Sequence, residues 1–104
     1  APNAMFVRRI GSAGCELLLP DHGQPTLVSG YPMSVTDTTG AGDTHTGVLI
    51  ASLLKGYSVL QSARRANAAA ALMISQREDN HAPSAEDIDQ LLREAGDTES
   101  LAAI

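Results

Sequence analysis

Residues 35 to 47 read VTDTTGAGDTHTG, a hydroxyl-rich turn followed by Gly40-Ala41-Gly42, then Asp43, then an apolar run. Small residues at the start of a helix leave the main chain accessible. The first helical turn has unpaired N–H groups and the positive end of the helix dipole, so an anion is stabilised there. Gly40, Ala41 and Gly42 put little or no side chain between those amides and a phosphate. Asp43 is the odd member, because a carboxylate and a phosphate repel each other. It makes sense if it faces an incoming alcohol. A carboxylate can orient a hydroxyl and accept its proton as the bond to phosphorus forms, while the amides hold the charge that develops on the transferred group. On spacing alone, an ordinary turn in which Asp43 only faces a helix dipole fits equally well. Neither G-x-x-x-x-G-K-[ST] nor G-x-G-x-x-G occurs in the chain, so a P-loop or dinucleotide fold is not supported.

The elements around this loop change period at Gly42. Met5 to Ile10 favours a strand, Gly11 to Gly14 (GSAG) a tight turn, and Cys15 to Leu19 a second strand. Thr26 to Val28 and Tyr31 to Val35 read as extended. Beyond Gly42, Val48 to Leu54 predicts a helix too apolar for the surface, stopped at Lys55-Gly56. Ser58 caps a second helix, Val59 to about Ser75, whose small residues suit close packing and whose wet side carries Gln61, Arg64 and Arg65. A third helix opens at Pro83-Ser84, with Ser84 as N-cap and Asp87 at the capping-box position, and ends at Gly96. The tail, residues 97–104, is expected to fray. Strands first and three helices after, with a helix launched from a glycine loop, indicate part of an α/β layer structure.

The 104 residues allow at most one domain, and 43% of them are apolar. No apolar run approaches membrane-spanning length, and the opening APNAMFVRRIG is unlike a secretory leader. A single cysteine, Cys15, cannot form an internal disulfide, and it begins an apolar strand as a buried thiol would; this fits a reducing cytoplasm. Net charge is −5, with acids concentrated between Glu78 and Glu99. A nucleic-acid surface needs the opposite sign and more than one Phe and two Tyr to stack on, so that class is excluded. The acidic stretch reads as a solvated face.

The segment DTTGAGDTHTG closely resembles the C-terminal signature of the ribokinase-like (PfkB) family of sugar and nucleoside kinases. Three further segments resemble that family in the same order along the chain. Ile10-Gly11-Ser12-Ala13-Gly14 looks like its strand-turn lining the nucleotide. Arg65-Ala66-Asn67-Ala68-Ala69 looks like the helix with an asparagine near the adenine, and Ala82-Pro83-Ser84 like the end of its cation loop. The resemblance implies the C-terminal part of a three-layer αβα fold and an ATP-dependent kinase acting on a hydroxymethyl of a sugar or nucleoside. It implies Asp43 as catalytic base and Gly40, Ala41 and Gly42 as anion hole. It places Gly11, Ser12, Gly14 and Asn67 on the nucleotide side. Asp37 and Thr39 would be ligands of a monovalent cation such as K⁺, completed by carbonyls of residues 75–84, and Mg²⁺ would enter with ATP.

The chain departs from the family pattern at three places. Arg9 stands two before Gly11, where many relatives have Thr, and His45 stands where Phe is commoner. Residues 76–81, QREDNH, lack a usual glycine. Residues 1–104 are expected to be a single partial domain that needs the missing N-terminal part, or a homo-oligomer, to hold an acceptor. The alternative is a truncated homologue that binds nucleotide or associates without catalysis.

Overall fold

The computed structural model describes residues 6–9, 13–20, 23–31, 41–75 and 83–101. The expected segment Tyr31 to Val35 lies outside these beyond Tyr31. Three strands precede three helices: β1 (Phe6–Arg9), β2 (Gly14–Leu18), β3 (Thr26–Ser29), α1 (Ala41–Leu54), α2 (Val59–Ser75) and α3 (Ala85–Glu94), followed by a 3-10 turn at Thr98–Ser100. The strands form an antiparallel sheet in the order β1-β2-β3, with Arg9 opposite Cys15 and Cys15 opposite Val28. Alternation puts Cys15 and Leu17 of β2 and Val28 of β3 onto the helices. The described elements therefore make two layers, one sheet and one set of helices.

The β1–β2 turn requires a glycine at its end. Gly14 has φ of 111°, and a Cβ there would come within 2.1 Å of the Val28 carbonyl oxygen. The chain crosses itself at that point, held by Gly30 N–H donating to the Ala13 carbonyl at 2.9 Å.

Helix α1 begins at Ala41, a full turn and more ahead of its apolar run, so Gly42 and Asp43 belong to its first turn. It is not the buried helix that its composition suggests. Only His45, Leu49 and Ser52 are buried, a single stripe spaced three to four residues apart, while Ile50 is 53% and Leu54 83% exposed. The stripe packs on α2, where Ala63 and Ala66 let the two helices approach closely. The stop at Lys55-Gly56 is a Schellman motif: Gly56 N–H donates to Leu53 O and Tyr57 N–H to Ser52 O, with Gly56 at φ of 97°.

Helices α2 and α3 begin as their sequences indicate. Ser58 and Gln61 cap α2 reciprocally, at 2.9 and 3.1 Å. Ser84 and Asp87 do the same for α3, both at 3.1 Å. One expectation fails, and the reason lies in the segment after Gly96. Gln61 and Arg65 lie on no wet side; both are buried, and only Arg64 is partly exposed. Residues 97–101 pack against them, while residues 102–104 of the expected tail lie outside the described residues. Arg65 donates to Asp89 Oδ1 at 2.7 Å and to the Ser100 carbonyl at 2.9 Å, and its guanidinium stacks on the Tyr57 ring. Gln61 donates to the Glu99 carbonyl, and Tyr31 and Ser100 donate to Asp97. The long side chains of α2 and the segment 97–101 consume each other's polar groups, so both are drawn inward. Asp89 and Asp97 likewise leave the acidic stretch less of a solvated face than its composition suggests. Burial and the Asp97 hydrogen bond both push the Tyr31 hydroxyl well above its ordinary pKa.

Candidate active site

Ala41, Gly42 and Asp43 form the first turn of α1, and Asp43 is exposed. The chain supplies no side chain at the preceding position, Gly40. A carboxylate in solvent at a helix start, beside residues of minimal bulk and with no bond to another described residue, can meet a hydroxyl directly.

Arg9, at the end of β1, reaches across to this turn. Its Nη1 donates to Thr46 Oγ1 at 2.8 Å and, with longer geometry, to the Gly42 carbonyl at 3.4 Å. A Cβ built on Gly42 would meet Nη2, Cζ and Nε of Arg9 at 3.5, 3.6 and 3.7 Å, so the planar group lies flat over the glycine. No local spacing signals this contact, because Arg9 and Gly42 are joined only by the fold.

Beneath the turn lies a buried polar node centred on Asn67 of α2. His45 Nε2 donates to Asn67 Oδ1 at 2.8 Å, in the tautomer that this pairing requires. Asn67 Nδ2 donates to the carbonyls of Val28 at 3.0 Å and Ser29 at 3.2 Å. The Cys15 thiol lies against the same amide, and burial pushes its pKa up, which marks it as an inert structural thiol. Burial pushes His45 down, so it is neutral near pH 7. His45 is thus a packed side chain that anchors the first turn of α1, as its place in an apolar stripe suggests. Asn67 engages both ends of its amide inside the protein, tying α1, α2 and β3 together.

The residues singled out in the sequence divide accordingly. The structure brings Ala41, Gly42 and Asp43 into one turn. It bonds Asn67 to His45, which follows Asp43 by two residues in α1. Gly14 sits at the hairpin crossing next to Val28, whose carbonyl also receives the Asn67 bond. Gly11, Ser12, Asp37, Thr39 and Gly40 lie outside the described residues. Arg9 is the site neighbour that motif reading does not supply as a contact.

Comparison with known proteins gives a consistent result. Residues 3–87 match the model of the pfkB family carbohydrate kinases. The chain is similar to the bifunctional protein HldE of Bradyrhizobium sp. (strain ORS 278), with 42% identity over 69 residues, which is 66% of this chain and 14% of that protein. Among solved structures it is similar to Arabidopsis thaliana ribokinase complexed with ribose and ATP, at 31% identity and a TM-score of 0.77, covering 86% of this chain and 29% of that one. It is similar by the same TM-score to an E. coli protein described as a ribokinase II and solved with ATP and Mg²⁺, at 25% identity and the same coverage. The chain thus spans about a seventh of the length of the first relative and under a third of the ribokinases. The family match covers most of the chain, including the three strands and the glycine turn. The chain belongs to the pfkB family of carbohydrate kinases.

Proposed function

We propose that the chain forms the nucleotide side of an ATP-dependent kinase that phosphorylates a hydroxymethyl group of a sugar or nucleoside. The observation that carries this reading is the first turn of α1, where exposed Asp43 stands beside Ala41 and Gly42 with the amides of the turn at their backs. Asp43 orients the acceptor hydroxyl and takes its proton as the new bond to phosphorus forms. The amides of residues 40–42 hold the charge on the transferred group. ATP is the phosphoryl donor, and the low bulk of the turn fits its phosphates. Mg²⁺ would arrive on those phosphates, as it commonly does.

Gly14 and Asn67 act on the nucleotide side by shaping it. Asn67 holds β3 and His45 in place, and Gly14 allows the hairpin crossing. Gly11 and Ser12 complete that side, and Asp37 and Thr39 would hold a monovalent cation such as K⁺. The acceptor is bound by a part of the protein outside residues 1–104, or by a second copy, and this segment taken alone would have negligible turnover.

The test uses the purified protein with any flanking chain retained. ATP turnover is followed against pentoses, hexoses and nucleosides. The expected result is ADP release that depends on one acceptor class and falls about a thousandfold in Asp43→Asn, with ATP affinity largely kept. Turnover unchanged in Asp43→Asn would remove the base assignment. ATP binding without turnover on any acceptor would favour the non-catalytic alternative.

A further inference from the structure

We infer that Arg9 is a further nucleotide-binding residue, holding the phosphate chain of ATP or ADP through the Nε and Nη2 edge of its guanidinium. This rests on the kinase reading above and adds to it a residue at which many relatives have threonine.

Three observations converge on Arg9. Its Nη1 is committed to Thr46 and Gly42, which fixes the group in place. Both Nη1 hydrogens are then in use, and the Nε–H and Nη2 donors remain on the adjoining edge. That edge is one of the two that match a phosphate in a bidentate grip. The group lies flat over Gly42 in the turn that offers its amides to an anion. Finally, Arg9, like the helix-end cations Lys55 and Arg93, has no ion pair among the described residues, whereas Arg8 pairs with Glu16, Arg64 with Asp97 and Glu99, and Arg65 with Asp89. Its charge adds to the positive field at the start of α1, which Asp43 of the same turn offsets only in part, and a phosphate held between Arg9 and the turn is favoured by both positive fields. A Cβ at residue 42 would make only ordinary contact with the guanidinium, whereas a longer side chain would press on it and turn its free edge away.

A purely structural role, tying β1 to α1, would leave nucleotide discrimination untouched. The experiment therefore measures binding of ATP, ADP and adenosine by calorimetry in the purified protein with any flanking chain, for wild type, Arg9→Met, Arg9→Lys and Thr46→Val. Arg9→Met is expected to weaken ATP and ADP about tenfold or more and to leave adenosine within about twofold. Arg9→Lys recovers only part, because an ammonium lacks the planar fork. Thr46→Val, which frees Nη1, gives a smaller loss in the same direction, and this variant carries the test if Arg9→Met does not fold. Equal changes for ATP and adenosine, or none for either, would overturn the inference while leaving the kinase reading intact. Absence of ATP binding in the wild type would overturn both.

Discussion

The three helices of this chain open in two different ways. At the starts of α2 and α3 a serine and the side chain three residues on exchange hydrogen bonds with the backbone, so those first-turn donors are satisfied. At the start of α1 the preceding residue is a glycine and the first two positions are Ala41 and Gly42. A glycine is tolerated there but has no oxygen to offer. The same chain therefore closes two helix ends with side chains, while at the third the described residues contribute no capping side chain. The contrast extends outward. Arg65 is held by Asp89, Ser100 and Tyr57, with Gln61 bonded to the Glu99 carbonyl beside it, whereas around Arg9 the described partners are a hydroxyl and a distant carbonyl. Polar groups that complete one another hold structure, and polar groups left incomplete are where a ligand is expected.

Four substitutions or conditions sharpen this contrast. The largest effect is expected at the open end. Asp43→Asn should raise the barrier to phosphoryl transfer by about 4 kcal/mol, the thousandfold loss expressed as energy, with little change in urea midpoint because Asp43 is exposed. A large fall in stability instead would move Asp43 into the structural class. Next is the closed end: Arg65→Met should cost about 3 kcal/mol of stability, at the lower end for a broken ion pair because Asp89 is partly exposed. If the urea midpoint hardly moves, the network around α2 does not hold the segment 97–101. A smaller loss, about 2 kcal/mol, is expected for Asn67→Leu, which leaves His45 and the Val28 carbonyl without their partner. Adding His45→Phe should restore part of that loss, and two losses that simply add would show that the pair is not coupled.

The smallest effect concerns pH. His45 is held below its ordinary value of 6.5 by burial, so on acidification the unfolded chain takes up its proton before the folded one does. Stability should therefore be flat above about pH 6.5 and decline as pH falls from there towards the lower folded value. Thermal melts of wild type and His45→Phe between pH 7.5 and 5.5 separate this contribution from that of the carboxylates. An identical slope in the two proteins would assign the decline to other groups.

Much of this arrangement is legible in the sequence, where the signal is local. Ser58, Gly56, Ser84, Asp87 and Gly96 mark helix ends within a few residues, and each does so in the structure. The glycine turn of α1 is legible for the same reason. What stays hidden depends on partners far along the chain. Arg65 reads as solvent-facing because nothing near it announces Asp89 or Ser100. The exposure of Ile50 and Leu54 is also unreadable from α1 itself, since it depends on how many neighbours the fold supplies rather than on how apolar the helix is. Arg9 could be flagged as a departure from a family pattern, but its position over Gly42 follows only from the placement of β1 beside α1.

The crossing at Gly14 reaches further than its hairpin. The Val28 oxygen that a Cβ at residue 14 would strike is the same oxygen that receives the Asn67 amide. A substitution that displaced this carbonyl would loosen Asn67, and through it His45 and the turn bearing Asp43. In terms of inheritance, positions 14, 45 and 67 form one unit. A lineage that changes one should change the others with it, or lose the alignment of a carboxylate that none of the three touches.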